Sequence, residues 1–314
     1  MTRRSRRSRR EQPGPSGFLV VDKPPGVTSH DMVDAARRWL GTRRVGHLGT
    51  LDPRATGVLP LAVRDATKLV PFLSDAEKTY RGTIRLGVET DTLDAAGRET
   101  ARHEGPLPGE AEVRRAMAGF VGEVEQVPPM YSAVKRAGVP LYKLARRGLE
   151  VERPPRRVHV GRFELLGLRG ADLDIEVDCS AGTYVRVLAA DLGRALGCGG
   201  HLLTLRRVRN GPFLEEQALP PERLEEEAAA GRLEARLVPP AEPLGFPRAH
   251  LTREEAARVR HGGELPAARH AAGRRPGVLF AALDPAGNLV AVMELRADRK
   301  LKPVRVVQPL ATGG

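Results

Sequence analysis

A polar, glycine-rich loop between two apolar runs, Val45–Pro60, carries the residues best suited to chemistry. Within it, Pro53 fixes its own φ and favours an extended backbone at the preceding Asp52. A carboxylate held in one place on such a stiff turn can act as a nucleophile or a general base. An Asp-Pro pair alone is usually a turn whose carboxylate caps its own backbone. His47, five residues before Asp52, and Thr56, four after it, weaken that interpretation, which stays open.

The whole motif, GHLGTLDPRATGVLP, resembles the active-site motif of the TruB family, the bacterial tRNA pseudouridine-55 synthases. Further matches follow in the family's order along the chain. They are Val21–Ser29, Lys78–Tyr80, Pro129–Lys135 and Cys179–Arg186. Together the matches cover roughly residues 17–213, which is most of the chain.

The resemblance implies a reaction, a fold and a substrate. Members of the family isomerise uridine to pseudouridine in the T-arm loop of tRNA, at position 55, without cofactor or metal. The carboxylate would be that of Asp52, acting in a dry pocket where unscreened charge is most effective. It could attack the ribose, add to the uracil ring, or remove a proton at the ribose 2′ position, and the sequence does not choose among these steps.

A buried aspartate tends to be protonated, so a cation should keep Asp52 ionised. By resemblance that cation is Arg186, whose planar fork suits a carboxylate. The alternative is a surface arginine at a helix start, where its charge would oppose the helix dipole. Without the resemblance, the alternative would be the stronger interpretation.

The remaining site residues are also assigned by resemblance. The target base must be flipped out of its RNA loop. Tyr80 would stack on the flipped uracil, Tyr184 would line the pocket, Leu205 would form a wall, and His47 would fill the space left by the base. From residue type alone, Tyr80 and Leu205 are ordinary core residues and His47 is a loop hydrogen-bond donor. Lys23 belongs to a motif that supports the active-site loop.

Composition points to a polyanionic partner. The formal net charge is +12 and the isoelectric point about 10.4, which is typical of nucleic-acid-binding proteins. Removing the six arginines of the first ten residues leaves 45 basic against 39 acidic residues, a net charge of +6. The chain has no Walker loop, dinucleotide fingerprint or metal-ligand spacing, and no apolar run of membrane-spanning length. Two cysteines without ligand spacing favour a reducing, cytoplasmic location.

The pattern of elements predicts an α+β protein in three parts. Residues 1–16 form a disordered basic tail, and residues 17–240 a catalytic domain with a mixed, largely antiparallel sheet. Residues 247–312 form a small β-rich, PUA-like domain, whose contact with RNA stays open. Alternation over residues 172–179 predicts a strand with an acidic face turned to solvent. Capping boxes begin helices after Thr28 and Thr252, and Asp284–Asn288 predicts a hairpin.

Three other functions compete with the tRNA synthase. A glycosidase-like hydrolase would need a second carboxylate in a comparable loop, and the sequence shows none. A non-catalytic RNA-binding or chaperone protein would not need an intact Asp52 motif. An RNA-guided relative of the family requires protein partners, and no region here demands them. The sequence therefore favours a stand-alone, monomeric enzyme whose partner is the tRNA T-arm.

Overall fold

The computed structural model describes residues 14–132, 134–136, 138–145, 147–149 and 151–307. Most of the predicted basic tail and the predicted domain end at 308–312 lie outside these ranges. Within them, no helix is both long and apolar enough to cross a membrane.

Six α-helices and eighteen strands are defined in the described part of the chain. In chain order they are β1 (Gly17–Lys23), α1 (Ser29–Trp39), β2 (Val45–His47), β3 (Thr56–Val63), β4 (Lys78–Leu86), β5 (Val88–Thr90), β6 (Glu99–Arg102), α2 (Glu110–Ala118), β7 (Gly122–Gln126), β8 (Lys135–Arg136), β9 (Val139–Pro140), α3 (Leu141–Ala145), β10 (Arg156–Arg169), β11 (Asp172–Cys179), α4 (Val185–Ala195), β12 (Gly200–Asn210), β13 (Phe213–Leu214), α5 (Pro221–Ala229), β14 (Arg248–His250), α6 (Arg253–Arg260), β15 (Leu265–Pro266), β16 (Leu279–Leu283), β17 (Leu289–Leu295) and β18 (Lys300–Val306). Four 3₁₀ segments, Arg64–Phe72, Glu215–Gln217, Leu233–Arg236 and Glu242–Leu244, join them.

The main sheet has the order β1-β3-β12-β4-β11-β10-β7, with β2 paired to β3 and β13 to β12. Its neighbours are antiparallel except for β3 and β12, which confirms the predicted mixed, largely antiparallel sheet. The parallel pair brings Gly57 opposite Arg207. A Cβ on Gly57, whose φ is +98°, would lie 2.2 Å from the Arg207 carbonyl oxygen. Only glycine fits there, and this close approach sets where the Asp52 loop joins the sheet.

One face of the sheet carries the apolar core, and the opposite face carries charge over β4 and β11. Asp172 and Glu176 stand directly across from Arg85 and Arg81 of β4. The Arg85 Nε atom lies 2.7 Å from Asp172 Oδ1, and Arg81 Nε lies 2.6 Å from Glu176 Oε2. The prediction of an acidic face turned to solvent was therefore wrong. Cross-strand arginines, placed by register and not by local sequence, pair with the carboxylates.

The β-rich C-terminal unit is confirmed, with the order β14-β16-β17-β18-β15 and the predicted hairpin between β16 and β17. Its strands pack on the main sheet, since Phe18 and Val20 share an apolar cluster with Ala281 and Val292. The two units therefore share core surface. The predicted domain boundaries and the likeness to a PUA module stay predictions.

Both predicted capping boxes are formed. The Thr28 hydroxyl accepts a hydrogen bond from the Asp31 amide at the start of α1, and Thr252 caps α6 in the same way. Satisfying these first N–H groups fixes the helix starts. The start of α1 matters for the site because its first residue, Ser29, contacts the Asp52 loop.

Candidate active site

The loop that carries Asp52 is held by side chains from β1 and α1. The Ser29 hydroxyl donates to the Leu51 carbonyl at 3.1 Å and accepts from the Leu51 amide at 2.8 Å. The buried Lys23 ammonium donates to the Pro53 carbonyl at 3.1 Å. Burial lowers the pKa of Lys23 to about 8. The Asp52 backbone is thus fixed through both neighbouring residues, and Lys23 supports the loop as its motif predicts.

Strand β12 holds the same loop from the opposite side. Arg207, which is 1 % exposed, donates from Nη2 to the Gly49 carbonyl at 3.1 Å and from Nε to the Val58 carbonyl at 2.7 Å. Asn210 Nδ2 donates to the Leu48 carbonyl at 3.0 Å. Buried carbonyl groups need such partners. Arg207 therefore spans both ends of the loop, a role that the sequence analysis missed.

Asp52 and Arg186 form an ion pair at the bottom of the cleft. Arg186 Nη2 lies 3.2 Å from Oδ2 and 3.4 Å from Oδ1 of Asp52. The Arg186 side chain is only 4 % exposed, so the surface-arginine alternative was wrong, while the Asp52 side chain is 41 % exposed toward the cleft. Burial raises the pKa of Asp52, whereas Arg186 and, more weakly, Lys23 oppose that rise. One nitrogen makes both contacts, so the pair lacks the side-by-side fork that was predicted.

A second carboxylate, Asp94, reaches Arg186 from the loop after β5. Its Oδ2 lies 3.6 Å from Arg186 Nη1. Its Oδ1 accepts hydrogen bonds from the Ala96 amide and the Thr92 hydroxyl, so the loop's own turn orients it. The statement that no second carboxylate occupies a comparable loop was wrong. Asp94 raises the pKa of Asp52 through its charge, and it shares the arginine with it.

A cavity of about 360 Å³ brings together five of the six predicted site residues. Its lining includes Asp52, Tyr80, Tyr184, Arg186 and Leu205. Tyr80 projects from β4 and is buried, and burial raises the pKa of its hydroxyl. The Tyr184 ring lies 5.8 Å from the Arg186 guanidinium carbon. The cavity therefore combines a carboxylate, a cation, aromatic rings and an apolar side chain, which suits a flat, polar heterocycle.

His47 is not part of this lining. It ends β2, is half-buried, and its Nδ1 accepts a hydrogen bond from the Gly49 amide at 3.3 Å. Burial and the charge of Arg207 lower its pKa, which favours the neutral ring. His47 thus braces the loop from outside the cavity.

A larger cavity of about 1070 Å³ shares Asp52, Leu202 and Leu205 with the first one. Arg54, Arg81 and Arg206 contribute to its lining. Asp52 thus lies where the smaller cavity meets a broader groove, whose lining carries three arginines and three aspartates. Over the described ranges, no three His, Cys, Asp or Glu side chains come together as metal ligands.

Three sequence families match successive parts of the chain. The family described as "TruB family pseudouridylate synthase (N terminal domain)" matches residues 37–185. "tRNA pseudouridylate synthase B C-terminal domain" matches residues 186–244, and "tRNA Pseudouridine synthase II, C terminal" matches residues 246–308. The matches run without overlap over most of the chain.

Curated relatives cover nearly the whole chain. The tRNA pseudouridine synthase B of Aromatoleum aromaticum is 46 % identical over 298 residues, covering 94 % of each chain. The protein of the same name from Mycolicibacterium paratuberculosis is 47 % identical over 305 residues, covering 94 % of this chain and 98 % of its own.

Solved structures show the same fold. The chain in an H/ACA RNP bound to a substrate RNA containing 2′-deoxyuridine superposes with a TM-score of 0.72 and 26 % identity, covering 98 % of this chain and 93 % of that one. A chain of a Cbf5-Nop10-Gar1 complex gives a TM-score of 0.71 at 30 % identity, covering 93 % of this chain and 84 % of that one.

Proposed function

The chain belongs to the TruB family of pseudouridine synthases, and we propose that the uridine it isomerises lies at position 55, in the T-arm loop of tRNA. Its relatives act on tRNA by name, and the chain is a tRNA pseudouridine synthase, an isomerase. The choice of the T-arm uridine is supported by the long motif around Asp52.

The reaction exchanges one bond for another within the nucleotide. The N1–C1′ bond breaks, the uracil turns, and a C5–C1′ bond forms, while C5 loses a proton and N1 gains one. Asp52 is the catalytic residue in this proposal. Its carboxylate could attack the ribose, add to the ring, or take the 2′ proton. Each step requires the ionised form, which Arg186 stabilises at 3.2 Å against the effect of burial.

This ion pair, at the meeting point of a small cavity and a broader groove, is the observation that carries the proposal. The flipped uracil occupies the smaller cavity, where Tyr80 stacks on it, Tyr184 lines the space and Leu205 forms a wall. Base flipping leaves a gap in the RNA loop, outside the pocket. His47 lies outside the pocket lining, as a residue that fills this gap must.

The larger groove accommodates the RNA around the flipped nucleotide. Arg54 is exposed at its edge, two residues from Asp52, and Arg81 lies on its wall. An exposed cation such as Arg54 attracts phosphate without reading sequence, whereas Arg81 is already paired with Glu176. Shape of the folded loop, and access of one base to the pocket, would then choose the uridine.

The enzyme acts as a monomer without an obligate protein partner, in the cytoplasm. This part of the proposal is supported by the pocket lining, in which this chain supplies the carboxylate, the cation and the aromatic side chains. Both cysteines are buried free thiols, as suits a reducing compartment.

The test is direct mapping of pseudouridine in an unmodified tRNA transcript incubated with the purified chain alone. Pseudouridine at position 55, and none with Asp52→Asn, is the expected result. Modification at a different uridine would overturn the T-arm assignment, and modification by Asp52→Asn at the wild-type rate would overturn the assignment of Asp52.

A further inference from the structure

A buried glutamine outside the cavity lining grips the backbone beside Arg186. Gln126, the last residue of β7, is 2 % exposed. Its Oε1 accepts a hydrogen bond from the Tyr184 amide at 2.9 Å, and its Nε2 donates to the Tyr184 carbonyl at 3.2 Å. One side-chain amide thus pairs with both backbone groups of one residue, as a neighbouring strand would.

Gln126 bonds the residue at which α4 begins. Tyr184 is the N-cap of α4, and its own side chain makes no capping hydrogen bond. Arg186 follows in the first helical turn. Without Gln126, the partly buried Tyr184 amide would lose this hydrogen-bond partner. Gln126 therefore fixes the backbone from which the Tyr184 ring and the Arg186 guanidinium both project.

The chain beyond Gln126 returns to the same place. Arg186 Nη2 donates to the Tyr131 carbonyl at 2.6 Å, with the same nitrogen that contacts Asp52. Arg153 Nη1 also donates to the Pro128 carbonyl at 3.2 Å, so the chain comes back to Pro128 at Arg153. Gln126 thus lies where β7, the segment that begins at Pro128 and the start of α4 meet.

We propose that Gln126 is a positioning residue for the isomerisation, one that fixes the first turn of α4 so that Arg186 reaches Asp52. This inference rests on the proposed role of Asp52. Gln126 does not line the pocket, so it acts on the reaction only through the backbone of Tyr184 and the reach of Arg186.

The first test is Gln126→Leu, which keeps most of the side-chain volume and removes both hydrogen bonds. Losing such bonds at a buried site should lower the single-turnover rate by roughly 10- to 100-fold. The affinity for tRNA should change little, and the acid limb of the pH–rate profile should move to higher pH as Asp52 loses its cation. Gln217→Leu is the matched control, since the exposed Gln217 also accepts from a backbone amide but far along the chain from α4. It should behave as wild type.

The second test, Gln126→Glu, separates positioning from simple loss of stability. At neutral pH the carboxylate accepts from the Tyr184 amide but repels its carbonyl. When protonated, it again offers one donor and one acceptor. The rate of Gln126→Glu relative to Gln126→Leu, measured at each pH, should therefore rise as the pH falls.

The proposal is overturned if folded Gln126→Leu has the wild-type single-turnover rate and acid limb. It is also overturned if Gln126→Glu and Gln126→Leu keep a constant rate ratio at all pH values. Thermal melts give the fraction of each variant that is folded at the assay temperature, and each rate is divided by that fraction. An inactive wild-type chain would instead refute the proposed function, so the two failures are distinguishable.

Discussion

The two sides of the pocket are held by different means. Its floor, the loop Leu48–Pro53, is fixed by side chains from three other elements that bond its backbone, among them Arg207 and Ser29. Its wall, Tyr184–Arg186, is fixed through one glutamine amide and through bonds that Arg186 itself makes. Asp52 would keep its place without Arg186, but Arg186 reaches Asp52 only if the wall is in place.

This difference predicts which substitutions should lower stability and which should lower only the rate. Changes to the side chains that brace the floor should affect folding and rate together, because those side chains are buried and bonded to the backbone. Changes to the wall should affect the charge state of Asp52 and hence the rate. Arg186 connects the two sides, because it projects from the wall and contacts Asp52 on the floor.

The largest effect should follow from Asp52→Asn, which leaves both sides of the pocket in place but removes the charge. Single-turnover isomerisation should fall on the order of 10⁴-fold, as for other enzymes that lose their central catalytic group. Affinity for tRNA, measured by filter binding, should be nearly unchanged. Turnover near the wild-type rate would show that the floor positions no catalyst.

Arg186→Lys should separate the wall from the floor. Lysine keeps the positive charge but cannot contact Asp52, Asp94 and the Tyr131 carbonyl together. The single-turnover rate should fall roughly 100-fold, in the range seen when an electrostatic contact is lost. Thermal stability should change much less than the rate. A wild-type rate would mean that the reaction does not need the Arg186 contact with Asp52.

Arg207→Met should break the floor. The substitution removes the bonds to the Gly49 and Val58 carbonyls and leaves them unpaired in the interior. Unfolding free energy should fall by about 1–3 kcal/mol, with a rate loss of roughly tenfold. Chemical denaturation and single-turnover assays check the two together. Loss of rate with unchanged stability would place Arg207 in the chemistry and not in the floor.

The smallest effects should come from Tyr80, which lines the pocket between the floor and the wall. Tyr80→Phe keeps the ring face and should lose about twofold, whereas Tyr80→Leu should lose roughly tenfold, since stacking on a base contributes about 1–3 kcal/mol. Single-turnover rates at saturating tRNA give the comparison. Equal and negligible losses would make Tyr80 an ordinary core residue.

Sequence alone predicted the floor better than the wall. The Asp52 turn, its glycines and the cap at Thr28 are local features, and local patterns specify them. Asp94 was missed because its loop looks like any acidic turn, and its contact with Arg186 joins residues far apart in the chain. A glutamine at the end of a strand, such as Gln126, carries no signal at all.

Burial of arginines was the other limit of prediction. Three arginines lie close together in β12, at positions 206, 207 and 209, yet Arg207 is among the largest fully buried side chains described. Its burial follows from the parallel pairing at Gly57 and from carbonyls of a loop more than a hundred residues earlier. Strand register and tertiary contacts determine whether such an arginine is buried, and neither can be read from a single sequence.

The most direct test of the central claim is the pH dependence of the single-turnover rate in wild type and Arg186→Lys. Burial raises the pKa of Asp52 above the ordinary aspartate value of about 3.9, and Arg186 limits that rise. The wild-type rate should therefore fall with unit slope as the pH drops through a pKa above 3.9, and the limb should lie at still higher pH in Arg186→Lys. A wild-type limb at or below the ordinary value, or limbs that coincide in the two proteins, would contradict an ionised Asp52 held by Arg186.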